Sequence, residues 1–96
     1  MKGLIIHFEV AGGRQADFEA AMAFHIGNVR TRDPSYTHYS LAKIVDSATR
    51  YVLTQQFESM ETQARHQQFD YVLAAMPAID ACLAGPPTLE WLDVIL

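Results

Sequence analysis

A single cysteine, Cys82, in 96 residues leaves the chain without an internal disulfide and without a cysteine-based metal site. That usage suits a reducing compartment, and a cytoplasmic location is the expectation. Basic residues are scarce as well: seven Lys and Arg stand against eleven Asp and Glu, for a net charge of −4. They form no cluster, so neither nucleic acid nor an anionic membrane is an expected partner. No apolar stretch approaches the roughly 20 residues that span a bilayer. The run Leu4-Ile5-Ile6 is interrupted by His7 and Glu9, too short for a signal-peptide core, and reads as a first strand. Repeats, low-complexity runs and linkers are missing, so residues 1–96 are expected to form one domain. Nucleophile-elbow, phosphate-loop and dinucleotide motifs are missing too, which leaves acyl transfer, phosphoryl transfer and NAD chemistry without support.

What is present is an apolar pattern that changes period along the chain. Residues 2–10 are a short run, apolar and β-branched enough to form a strand, and Ala11-Gly12-Gly13-Arg14 breaks it with two glycines that tolerate positive φ. From Gln15 to about Arg32, Phe18, Ala21, Met22, His25 and Val29 recur at helical spacing. Asp33-Pro34 ends that helix, because proline disfavours α geometry in the residue before it. Residues 36–45 and 50–58 read as strands around the turn Asp46-Ser47-Ala48-Thr49. Ser59 is a suitable N-cap for a second helix, in which Pro77 is expected to introduce a kink and which Gly85-Pro86-Pro87 stops. Residues 88–95 form a last strand. The order β-α-β-β-α-β is the ferredoxin-like plan: an α+β domain with a four-stranded antiparallel sheet and two helices on one face. Leu4-Ile5-Ile6, Tyr51-Val52-Leu53 and the Leu89, Trp91, Leu92, Val94 group put apolar side chains on both sheet faces. Covering the second face with another copy predicts a homodimer.

A four-residue turn at 46–49 would pair Ile44 with Tyr51, Ala42 with Leu53, Ser40 with Gln55 and His38 with Phe57 on one face. A one-residue slip in either strand would exchange that strand's faces. In this register an apolar pocket with three polar groups faces the helices, closed by Met22 and His25 from the first and His66, Phe69, Leu73 and Met76 from the second. His66 shares its helix face with Phe69, Leu73 and Met76, where an imidazole could relay a proton near neutral pH. The alternative for each histidine, His7 included, is a core or contact residue satisfied by backbone or water. The histidines lack i, i+4 spacing and neighbouring carboxylates, so no metal site is expected.

The Gly-Gly-Arg turn at 12–14, Arg30-Thr31-Arg32-Asp33-Pro34, Arg50-Tyr51-Val52-Leu53, Phe57-Glu58-Ser59, His66 and Leu83-Ala84-Gly85-Pro86-Pro87 together resemble the antibiotic biosynthesis monooxygenase family. The resemblance spans nearly the whole chain and implies a dimeric α/β barrel. Many members carry Trp-Glu-Ser followed by a histidine nine residues after the Trp; here Phe57 stands at the Trp position and His66 at the histidine position. Leu53 stands where some quinol oxygenases have Asn. The likeness to the haem-degrading branch is poorer, since Ile6 or His7 stands where that branch has a first-strand Asn.

The resemblance implies a cofactor-independent monooxygenase acting on a small aromatic or quinol-like substrate. His66 and His25 are then the expected acid–base residues, with His38, Phe57, Met22, Phe69, Leu73 and Met76 as the substrate-binding set. A non-oxidative isomerase or lyase, and a non-catalytic metabolite-binding dimer of the same fold, are the alternatives.

Overall fold

Alternation of apolar and polar residues along four segments builds the sheet on which everything else rests. In the computed structural model, which describes residues 1–96, the elements are β1 (Lys2–Glu9), α1 (Gln15–Arg32), β2 (Tyr36–Lys43), β3 (Arg50–Phe57), α2 (Met60–His66), α3 (Asp70–Asp80) and β4 (Thr88–Asp93). The strands lie in the order β2-β3-β1-β4, all antiparallel to their neighbours, as the ferredoxin-like plan requires. Leu4, Ile6 and Phe8 of β1 lie opposite Gln55, Leu53 and Tyr51 of β3 and share the face covered by helices. Ile5, His7, Val52 and Thr54 point the other way.

The core forms where α1 crosses this inner face. Phe18, Met22, Ile26 and Val29 are buried against Phe8, Tyr39, Tyr51 and Leu53, with Ile79 and Cys82 closing the far side. Phe18 lies between two rings, 5.2 Å from Phe8 and 4.9 Å from Tyr51. The β1–α1 turn uses Gly13 at φ 87°, where a side chain would be strained. Leu89 and Trp91 of β4 lie on the inner side but remain 50% and 46% exposed, because the helices sit over the other three strands.

Two expectations require correction. The second helical segment is two helices, separated by a break at Gln67–Phe69. Phe69 is extended, with ψ 138°, and starts α3 afresh, while Pro77 sits inside α3, which continues to Asp80. Val72 and Ile79 are the buried residues of α3, and Leu73 is left 52% exposed. The β2–β3 connection is also one residue longer than expected. Ile44 N–H bonds to Arg50 C=O at 2.9 Å, and Asp46 supplies a left-handed residue at φ 65°. The register becomes Lys43↔Tyr51, Leu41↔Leu53 and Tyr39↔Gln55, which reverses the faces of β2. A bulge between Tyr36 and His38 returns Tyr36 to the inner side, where it packs on Phe57. No helix is long and apolar enough to cross a membrane.

Candidate active site

The end of α1 and the end of α2 meet below the sheet, and their meeting creates the main polar feature of the interior. Asp33 caps the C-terminus of α1, where the helix dipole disfavours a negative charge. Its carboxylate is therefore held by other donors: Ser35 N–H at 3.1 Å and Ser35 Oγ at 2.5 Å on Oδ1, and His66 Nδ1 at 2.8 Å on Oδ2. Burial opposes ionisation of Asp33, but the hydrogen bonds from Ser35 and His66 prevail and keep its pKa below the usual carboxylate value. His66 ends α2, whose start is secured by a reciprocal cap: Ser59 Oγ accepts from Thr62 N–H at 3.1 Å while Thr62 Oγ1 accepts from Ser59 N–H at 3.1 Å.

His66 is 1% exposed, and burial lowers its pKa more than the Asp33 carboxylate raises it. It is thus a neutral base at physiological pH. With Nδ1–H donated to Asp33, the lone pair is on Nε2, which has no hydrogen-bond partner within the chain. The Tyr36 ring packs on the imidazole at a centroid distance of 4.4 Å, and Phe69 lies edge-on at 6.0 Å.

His66 opens into a cavity of about 120 Å³ between the sheet and the helices. Ile6, Phe8 and Leu53 from the sheet and Met22, Val72 and Met76 from the helices supply most of its apolar wall. Polar groups on the same cavity are His25, Tyr39, Gln55, Gln67 and Asp80. His25 Nε2 lies 3.1 Å from Tyr39 Oη. Burial pushes the Tyr39 phenol well above its ordinary pKa, so it stays protonated and donates to Nε2. That assignment places the His25 proton on Nδ1, a buried atom with no partner. Burial first, and repulsion from His66 second, lower the His25 pKa to about 4. A wider depression of about 510 Å³ between α1 and β2 is lined by Glu19, Arg30, Lys43 and Tyr51 and holds no histidine.

Among the residues singled out from sequence, His66, His25, Met22 and Met76 line one cavity. The others do not. His38 points to the outer face, 2.7 Å from Thr54 Oγ1, because of the register shift. Phe57 is completely buried beside Tyr36 and forms core behind the cavity rather than its wall. Phe69 packs on His66 from outside, and Leu73 is turned away by the break before α3. Asp33 and Tyr39 were not foreseen as site residues. Asp33 had one readable signal, an acidic residue at a helix C-terminus, where it needs a compensating donor. Tyr39 had none, since its face depended on the register. No three His, Cys, Asp or Glu side chains converge as metal ligands.

A ferredoxin-like α+β domain enclosing a small, mostly apolar cavity with a carboxylate-held histidine is the class that the fold and site define. The family model for antibiotic biosynthesis monooxygenases matches residues 1–78, and the chain belongs to that family. Three solved structures assigned to the family are similar over nearly all of their length. One from Caulobacter crescentus CB15 has a TM-score of 0.94 at 25% identity, covering 99% of this chain and 90% of that one. One from Nitrosomonas europaea has a TM-score of 0.90 at 18% identity, with both chains fully covered. One from Bordetella bronchiseptica has a TM-score of 0.84 at 23% identity, covering 99% and 97%. No curated protein matches the chain.

Proposed function

We propose that this protein is a cytoplasmic, cofactor-independent monooxygenase of a small aromatic or quinol-like substrate, with His66 as its general base. The observation that carries the reading is the Asp33–His66 pair: a neutral imidazole, oriented by a carboxylate at 2.8 Å, presents a free Nε2 to an apolar cavity. Nε2 would take the proton of a bound phenol. The resulting phenolate makes a ring C–H carbon electron-rich enough to give electrons to O₂, and a C–O bond forms as a hydroperoxide. Loss of that carbon's hydrogen with the outer oxygen as water leaves a carbonyl. One oxygen atom ends in the product and one in water, and all four electrons come from the substrate. The apolar wall would keep water from the anionic intermediate. Met22 and Met76 are assigned to substrate contact, and His25 to orienting Tyr39.

We also propose a homodimer formed through the outer face of the sheet. Ile5 and Val52 sit there half-buried, and Leu92 is 41% exposed, an apolar surface that a second copy would cover. The second functional reading is proton transfer without oxygen, in an isomerase or lyase. The Tyr39–His25 pair on the same cavity favours it, because it supplies a second polar pair beside His66. Oxygen consumption against phenols and quinols, in wild type and His66→Ala, tests the first reading. Uptake that falls by roughly 10²–10⁴-fold in the variant is expected. Turnover that persists without O₂ would replace oxygenation by the second reading, and unchanged uptake in the variant would remove His66 as the base.

A further inference from the structure

We propose that the cavity is built for a single-ring ligand with two oxygen substituents, and that Gln55 sets this specificity from the side of the sheet. This deepens the reading above and rests on the His66 cavity being the site. Size is the first argument. The cavity measures about 120 Å³. An apolar protein cavity of about 150 Å³ accommodates one benzene ring. Two or three fused rings cannot be enclosed unless the inner walls move; otherwise the extra rings project past the exposed rim of Gln67, Asp80, Pro87 and Leu89. On those inner walls Phe8, Met22, Leu53 and Ile79 are all buried core residues. Such interiors are close-packed and yield only at a cost.

Gln55 is the second argument. It lies on the inner face of β3 between Leu4 and Tyr39 and is only 4% exposed. Its side-chain amide makes no hydrogen bond within the chain, yet neither amide atom is among the sealed, unpartnered ones, as His25 Nδ1 is. The amide therefore opens into the cavity, which Gln55 lines, and is free to pair with a ligand or with cavity water. It offers one acceptor and two donor hydrogens, which match a hydroxyl or a carbonyl. Nε2 of His66 accepts only, so the ligand presents an O–H there. A compact apolar body with an O–H for His66 and a second oxygen for Gln55 describes a benzenediol or a hydroxylated benzoquinone.

Anaerobic isothermal titration of the full chain with catechol, resorcinol, hydroquinone, 1,4-dihydroxynaphthalene and dithranol tests the proposal. At least one benzenediol is expected to bind tenfold or more tightly than the two- and three-ring probes. Gln55→Leu is expected to weaken that benzenediol about tenfold or more while affecting phenol far less. Met22→Ala, which enlarges the cavity, is expected to admit the naphthalenediol. Equal or tighter binding of the fused-ring probes by wild type would overturn the proposal, as would binding of no probe or an unchanged affinity in Gln55→Leu. The wild-type size series stands even if a variant fails to fold. Benzenediol binding without oxygen uptake would sink the oxygenase reading and leave this one intact, whereas uptake confined to fused-ring substrates would do the reverse.

Discussion

His66 Nδ1 lies 2.8 Å from Asp33 Oδ2, across 33 positions of sequence, and both side chains are almost fully buried. The contact joins the last residue of α2 to the C-cap of α1. It orients the imidazole, fixes the tautomer that leaves Nε2 free, and gives the capping carboxylate the donor it needs. Removing either partner leaves the other buried and uncompensated.

Asp33→Asn tests that dependence. The amide can keep the shape but loses the charge that supports the imidazole. The pKa of His66 should fall further, and turnover should drop without a matching loss of substrate affinity. Nuclear magnetic resonance titration of the His66 ring and steady-state kinetics would read the two effects separately.

Activity should have an acid limb set by His66. Its pKa lies below the ordinary value of 6.5, because burial outweighs Asp33. Protonation removes the base, so kcat/KM should rise with pH below 6.5 and be flat at neutral pH. A limb centred above pH 7 would rule out this assignment.

Stability should fall in mild acid through His25. Its pKa is lowered from 6.5 to about 4, so between these values the unfolded chain binds the proton and the folded chain does not. Stability is therefore full above pH 6.5, declines as pH falls, and has lost this contribution below about pH 4. The shift corresponds to roughly 3 kcal/mol at ~1.36 kcal/mol per unit. Urea unfolding of wild type and His25→Gln at pH 4 and 7 would measure it; the variant should show the smaller difference.

Phe57 should matter for stability and not for binding. It is fully buried against Tyr36, with ring centroids 5.2 Å apart, and lies outside the cavity wall. Phe57→Ala should cost about 3–5 kcal/mol. Phe57→Leu should lower the melting temperature while leaving ligand affinity within a factor of about two. A tenfold affinity change in Phe57→Leu would return Phe57 to the binding set.

The proposed dimer can be broken on its own face. Val52→Lys places a charge at the centre of the outer sheet, where Val52 pairs with His7 and Ala42. Sedimentation velocity should show the dimer converting to monomer. If the wild type is already monomeric at micromolar concentration, the interface assignment fails.

Local chemistry made much of the fold readable in the sequence. The α1 helix, the strands, the Ser59 cap and the inward faces of His25 and His66 follow from interactions within a few residues, where propensity and periodicity act directly. Gln55 falls on the pocket side for the same reason, since β3 alternates cleanly.

Other features depended on distances that the sequence does not record. One extra residue in the β2–β3 loop exchanged His38 for Tyr39 at the cavity, because side chains in a strand alternate and a single step reverses them all. The break at Gln67–Phe69 left Leu73 off the cavity that Val72 lines, since restarting a helix resets the direction of its buried stripe. The Asp33–His66 contact needed both helix ends to be packed on one sheet before either side chain had a partner. Short-range preferences decide which element a residue joins. Loop length and packing decide which neighbours it meets, and in this protein the site is made of such neighbours.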